Sequence, residues 1–168
     1  MPRWSRREAV TSGLCDLAVP IAPRIPYGRG LTGELVGHQD LVLTGRAGAA
    51  ARVTAQELAA LPFVSTPRAS IRREIEDAVF AELGITDRNV VIEFGHPEAI
   101  KHAVRAGLGV ALLFRASVAE DLAGGSLQEI RIADARPRLP IFTVWRADKR
   151  LSPLQRNLMT VIRDALSS

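Results

Sequence analysis

Between Val90 and Phe114 the chain reads VVIEFGHPEAIKHAVRAGLGVALLF, and three elements follow one another there with no residues to spare. Val90 to Phe94 is a β-branched apolar run of strand length, and Gly95-His96-Pro97 turns the chain. Glu98 to Arg105 then places Ile100, Ala103 and Val104 at helical spacing, Gly107 stops the helix, and Gly109 to Phe114 is a second apolar run. This is a β-α-β unit with a short helix. Because each run is apolar throughout rather than alternating, two buried parallel strands in a sheet covered on both faces are expected, and the fold class is α/β. Sheets of that kind bind ligands at the carboxyl ends of their strands, where helix N-termini point free N–H groups outward. Here that place is Gly95-His96-Pro97.

The flanking sequence supplies further elements. Trp4 to Ser12 has the spacing of an amphipathic helix ended by Gly13, and Leu14 to Val19 reads as a short buried strand. Prolines at 20, 23 and 26 and glycines at 28, 30, 33 and 37 make Pro20 to Gly37 a loop with room for one brief strand. Gln39 to Thr44 is the next strand, and residues 45–54 a linker. Thr54 and Glu57 form the capping-box pattern for a helix over Ala55 to Ala60, which Pro62 ends. Phe63 to Ser65 is a strand, and TPRAS joins it to a helix on which Ile71, Ile75, Ala78, Val79 and Leu83 share one stripe and Arg73, Glu74, Glu76 and Asp77 form the solvated face. Ala116 to Leu122 is a short helix, and Leu127 to Ile132 and Ile141 to Trp145 are strands. Ser152-Pro153 starts a last helix with Leu154, Leu158, Val161, Ile162 and Leu166 in period.

With 168 residues, 47% of them hydrophobic and 24% charged, the chain has the composition of a soluble globule with one good core or two small ones. Its single Cys15 excludes an intramolecular disulfide and reads as a small core residue. No Cys/His cluster has metal-site spacing, so no metal or cofactor is expected and a reducing compartment is. No apolar run is long enough for a transmembrane helix and the N-terminus lacks a secretory apolar region, so a cytoplasmic location with no membrane partner is expected. A net charge of +4 raises nucleic acid as a partner, but the arginines are scattered, and only Arg6-Arg7 and Arg72-Arg73 are adjacent.

EFGHPEAIKHAVRAGLGVALLF, from Glu93 to Phe114, resembles the second lobe of the effector-binding domain of LysR-type transcriptional regulators. GLCDLAV at Gly13 to Val19, LVLTGR at Leu41 to Arg46 and VTAQELAALPFV at Val53 to Val64 resemble other stretches of that family in the same order. The resemblance runs from Gly13 to the C-terminus and rests on the collinear series rather than on one motif. It implies a type II periplasmic-binding-protein-like fold of two α/β lobes. Residues 1–60 would hold a partial first lobe with a crossover, residues 61–118 a complete second lobe, and residues 119–168 the return crossover and the rest of the first lobe. The family's N-terminal winged helix-turn-helix, its linker helix and the strand, helix and second strand that open its first lobe have no counterpart in this sequence. The implied function is to sense a small polar or anionic metabolite bound between the lobes and so modulate transcription. Promoter DNA would be a partner only through the absent helix-turn-helix, and a homo-oligomer is expected of the full-length family. The alternatives are a solute-binding protein of a transporter and a small enzyme on the same fold.

Gly107-Leu108-Gly109 is not a dinucleotide fingerprint, because the glycines follow a helix and open a strand instead of the reverse; Gly107 reads better as a left-handed helix stop. Gly28-Arg29-Gly30 is a loop signal with no phosphate-loop Lys-Ser/Thr behind it. His96 is either a donor to an anionic ligand or simply the cap residue ahead of Pro97, while His38, in a loop, and His102, on a helix, are surface residues. Thr66, Arg68 and Ser70, with Ser65, crowd the other strand-to-helix junction, where hydroxyls and a guanidinium beside free N–H groups suit a carboxylate. The resemblance adds the strand end near Pro20-Ile21 as a cleft wall. The ligand-binding set expected is therefore Ile21, Thr66, Arg68, Ser70, Gly95, His96 and Pro97. No catalytic residue is expected: no G-x-S-x-G elbow is present, Cys15 lies beside Asp16 in the expected buried strand, and Glu98 is most simply a first-turn helix residue.

Overall fold

The computed structural model describes residues 6–23 and 30–166, with only the backbone of Arg6 and Arg7. Trp4 and the Gly28-Arg29 dipeptide lie outside the described residues. The elements are α1 (Arg6–Thr11), β1 (Leu31–Arg46), β2 (Arg52–Val53), α2 (Ala55–Ala60), β3 (Phe63–Ser65), α3 (Ile71–Glu82), β4 (Val90–Glu93), α4 (Pro97–Arg105), β5 (Ala111–Phe114), α5 (Arg115–Ala123), β6 (Leu127–Ile132), β7 (Arg138–Arg146) and α6 (Pro153–Leu166). They divide into two compact units, Asp40–Arg138 and the remainder, residues 1–39 with 139–168.

In the unit formed by Asp40–Arg138, the β-α-β run holds, with β3 between its two strands. β3 pairs in parallel with β4. On its other side the Val64 N–H donates to the Val110 carbonyl at 2.9 Å, and the Val110 N–H donates to the Pro62 carbonyl at 2.8 Å. That approach needs Gly109, because a Cβ there would sit 2.4 Å from the Pro62 carbonyl oxygen. From Ala111 onward the pairing changes: β5 runs antiparallel to β1, with Leu41 opposite Phe114, and β6 runs antiparallel to β1 on the other side. The two strands expected to be parallel are thus part of a mixed arrangement. Its core is Val42, Val64, Ile100, Ala103, Val104, Leu113, Val118 and their neighbours, all but closed to solvent. β4 is only half covered and Val91 is 50% exposed, so this strand is an edge and not the buried run its composition indicates.

The local stop and start signals are formed as their chemistry requires. Thr54 Oγ1 accepts from the Glu57 N–H, and Glu57 accepts from the Thr54 N–H, closing the capping box of α2. Gly84 and Gly107 take φ of +74° and +78° beyond α3 and α4, the left-handed conformation that costs a Cβ-bearing residue most.

In the unit of residues 1–39 and 139–168, three expectations change. Leu14 to Val19 is not a buried strand: Leu14 is 66% and Val19 41% exposed, and Cys15 is an exposed free thiol. Gly13 and Cys15 are occupied in closing α1, their N–H groups donating to the Val10 and Ala9 carbonyls, so the chain becomes extended only at Ala18. From there Ala18 and Ile21 form antiparallel bridges to Val144 and Ile141. Second, the Pro/Gly-rich loop ends early, because β1 starts at Leu31 and takes in His38, an exposed residue of a strand and not of a loop. Third, only Ile162 and Leu166 of the stripe expected on α6 are partly covered. Met159 is its buried residue, whereas Leu154, Leu158 and Val161 are exposed. Val10, Leu31, Phe142 and Val144 make the core here. Asp16 accepts hydrogen bonds from Lys149 and from Gln155, which with the charge on Lys149 holds its carboxyl below the usual range.

Gly109→Ala should cost about 1–3 kcal/mol, as overpacking against a backbone carbonyl does. Gly95→Ala, where a Cβ meets nothing within 4 Å, should cost far less. Urea unfolding of the two variants checks this, and equal losses would contradict the close packing of β3 on Val110.

Candidate functional site

The carboxyl ends of β3 and β4 lie side by side in the unit of Asp40–Arg138. Ser65 is opposite Glu93, and the Phe94 N–H donates to the Ser65 carbonyl at 2.9 Å. Both strands then hand over to helices. After β3 the chain turns at Pro67, and Ser70 caps α3, its Oγ accepting from the Arg73 N–H at 3.1 Å. After β4, His96 caps α4, its Nδ1 accepting from the Glu98 N–H at 3.3 Å, and Pro97 fills the first turn. His96 therefore caps α4 through Nδ1. With Nδ1 an acceptor, the neutral ring carries its proton on Nε2, which stays a donor.

Beneath this edge lies a group of charges. Arg73 and Glu76, expected on the solvated face of α3, are 8% and 5% exposed. Glu76 receives the Ser65 hydroxyl at 2.5 Å, the Thr66 hydroxyl at 3.4 Å and Arg88 at 3.4 Å. Arg88 also pairs with Asp77 at 2.7 Å and lies over the Phe80 ring at 4.3 Å. Arg73 donates through Nε to Asp77 at 2.9 Å, and through Nη1 to the Thr66 carbonyl at 3.3 Å and to Glu93 at 3.0 Å. Burial pushes the Glu76 carboxyl up, against the pull of the Ser65 hydroxyl and of Arg88, Arg72 and Arg73. Burial likewise lowers Arg88 and Arg72 from the ordinary guanidinium value.

Ser70, Gly95, His96 and Pro97 thus belong to two neighbouring junctions. Thr66 is at the first of them but 3% exposed, with its hydroxyl directed to Glu76. Arg68 is exposed and lines an open cavity of about 500 Å³ with Ala59, Asp87, Arg88, Asn89 and Val90. Val90 opens β4, so that cavity reaches the opposite end of the strand from Gly95. Ile21 belongs to the other unit, where it pairs with Ile141. The sequence reading missed Arg73, Glu76, Arg88 and Glu93. A signal for the first two was present, because Arg72 and Glu76, and Arg73 and Asp77, are charge pairs at i,i+4 directly behind a capping serine. Among the described residues no group of three His, Cys, Asp or Glu side chains is placed to hold a metal ion. No described helix is long and apolar enough to cross a membrane.

The model of the LysR substrate binding domain matches residues 5–167, and this chain belongs to that family. Among curated proteins, the uncharacterized HTH-type transcriptional regulator YeiE of Escherichia coli K12 is 37% identical over 111 residues, which cover 66% of this chain and 35% of that protein. The chain thus matches about a third of the length of that relative. Among solved structures, the regulatory domain of Synechocystis PCC6803 CcmR in complex with 2-PG superimposes with a TM-score of 0.74 at 20% identity, over 96% of this chain and 78% of that one. The effector binding domain of QuiR in complex with shikimate gives 0.71 at 15% identity, over 95% and 75%. At such identities these two structures establish the fold, which is the periplasmic-binding-protein-like one the resemblance implied.

The raised Glu76 has a consequence for stability. A carboxyl that binds its proton more tightly folded than unfolded contributes stability that is fully present below its unfolded value and is lost as pH rises through the folded one. Glu76→Gln removes that dependence, so the stability of the variant relative to the parent should climb as pH rises from the ordinary glutamate value of 4.5. Paired urea titrations across the acid-to-neutral range check this. Other carboxylates cancel in the difference, and a flat difference would contradict the assignment.

Proposed function

We propose that this chain is the effector-sensing part of a LysR-type transcriptional regulator, taking a small polar or anionic metabolite at the junctions that follow β3 and β4. The observation that carries the reading is the pairing of Ser65 with Glu93, which sets two capped helix N-termini next to each other on one sheet edge. Each offers first-turn N–H groups to an acceptor-rich ligand, and the ends of aligned helix dipoles favour negative charge. The residues of this unit proposed to contact it are Thr66, Arg68, Ser70, Gly95, His96 and Pro97. Thr66 would act through its backbone, since its hydroxyl is taken by Glu76.

The relatives support the ligand class and the role. CcmR was solved with 2-PG and QuiR with shikimate, and YeiE is an HTH-type transcriptional regulator. The proposed role is binding and not catalysis, in the cytoplasm. Promoter DNA would be contacted through a helix-turn-helix domain of the kind such regulators carry, in a homo-oligomer. Binding shifts transcription only if the ligand has different affinities for two arrangements of the protein, so the metabolite acts by selecting one of them.

A thermal-shift screen of the chain against carboxylates and phosphorylated acids, 2-PG and shikimate included, tests the reading, because a ligand that binds only the folded form raises the melting temperature. With the best hit, Ser70→Ala and His96→Ala should each weaken binding about tenfold in calorimetry, the loss of one good hydrogen bond. Parental affinity in both variants would place the site elsewhere.

A further inference from the structure

The ladder between β3 and β4 ends at the Phe94 N–H, which donates to the Ser65 carbonyl. The first carbonyl beyond β3, that of Thr66, is taken not by a strand but by a side chain, Nη1 of Arg73 at 3.3 Å. The same nitrogen reaches the Glu93 carboxylate at 3.0 Å, at the end of β4. We propose that Arg73 is a positioning residue that sets the spacing between the two ligand-facing junctions, by holding the Thr66 carbonyl and the Glu93 carboxylate with one guanidinium. The inference rests on the reading of those junctions as the effector site.

Three features make this guanidinium a strut instead of an ordinary ion pair. Its orientation is fixed from behind, since Nε donates to Asp77 one turn further along α3. Its side chain is 9% exposed, so the guanidinium is covered although Glu93 and Asp77 still meet solvent, and a lost partner leaves a largely covered charge with fewer acceptors. Its own backbone N–H is the one that Ser70 caps, so the start of α3, the end of β3 and the end of β4 all meet in Arg73. The first turn of α3 cannot move against β4 without stretching one of these contacts. Lysine keeps the charge but carries a single nitrogen on a flexible stem, and it cannot hold Asp77 from Nε while bridging the two strand ends.

Arg73 therefore governs which ligands fit without touching them. A ligand that contacts both junctions needs their spacing fixed in advance, and with the strut gone it must bear the cost of ordering them. The strut also makes the junctions one body, so that a change at Glu93 is felt at the start of α3.

The test uses the full chain, labelled with nitrogen-15, with sulfate as the anion probe at constant ionic strength. Three variants are compared with the parent: Arg73→Lys, the milder Glu93→Gln, and Glu74→Gln as an exposed control on the same helix. Amide exchange is read at Phe94, the last rung, and at Val64, which is bonded to Val110. Sulfate-induced shifts are read at the Ile71 and Glu98 amides. In Arg73→Lys, Phe94 should lose protection at least tenfold while Val64 keeps its own. The Ile71 and Glu98 responses, which share one apparent Kd in the parent, should separate into two that differ at least threefold. Glu93→Gln should shift the response of Ile71 across the junction, an effect that mere loosening of β4 would not produce. Glu74→Gln should do nothing. If Phe94 protection is parental in both Arg73→Lys and Glu93→Gln, the strut is overturned. If the parent amides ignore sulfate while Phe94 protection still falls in Arg73→Lys, the strut stands and the effector reading of the junctions fails.

Discussion

The contact on which this site depends is between the Glu76 carboxylate and the Ser65 hydroxyl, inside a layer of charge that the fold buries. A carboxylate left alone there would be too costly to keep, and it is tolerated because hydroxyls from the end of β3 and guanidinium groups from α3 and the segment before β4 close around it. The partners outside α3 come from the end of β3 and from the segment before β4, so one carboxylate fixes where α3 lies on β3 and where the chain re-enters as β4. The Arg88 guanidinium carries the same layer onto the hydrocarbon core, stacked over Phe80, whose ring meets Phe63 edge-on at 5.1 Å. The polar edge that faces a ligand and the apolar core that stabilises the unit share residues.

What was legible in the sequence is what is decided locally. The capping box of Thr54 and Glu57, the cap at Ser70 and the glycine stops at 84 and 107 are settled by neighbours three or four residues away, and each is formed. The β-α-β run was legible for the same reason. Which face of a helix is buried is not local. On α3 the charges that a helical wheel sends to solvent are drawn inward by Arg88 and Glu93, which are distant in sequence. On α6 the wheel selects Leu154, Leu158, Val161, Ile162 and Leu166; Leu166 does meet Gly37, but the first three are exposed and the buried residue is Met159, which the wheel leaves out. Leu14 to Val19 misled because its apolar letters fit a strand while its backbone was already engaged with α1.

The candidate site was legible as a place more than as a set of contacts. Strand-to-helix junctions with Ser, Thr, His and Pro mark helix N-termini whatever the tertiary context, and both junctions fell where the motifs put them. The direction of each side chain was beyond reach. Thr66 points its hydroxyl into the protein, Arg68 lines a cavity shared with the start of β4, and His96 commits one nitrogen to its own helix. Such choices depend on partners that only the folded chain assembles.

β4 has one further consequence, for behaviour in a crowded solution. Among the described residues it pairs only with β3, so its outer side offers unpaired backbone groups and a half-exposed Val91, the kind of template onto which a strand of another molecule can add. It is four residues long and ends in an acidic side chain, and both limit such addition. Glu93, committed to Arg73 on one side, thus also guards an open border on the other. An apolar residue in its place would lengthen the sticky part of that border, and the first sign of trouble would be fibrous precipitate and not a failure to fold.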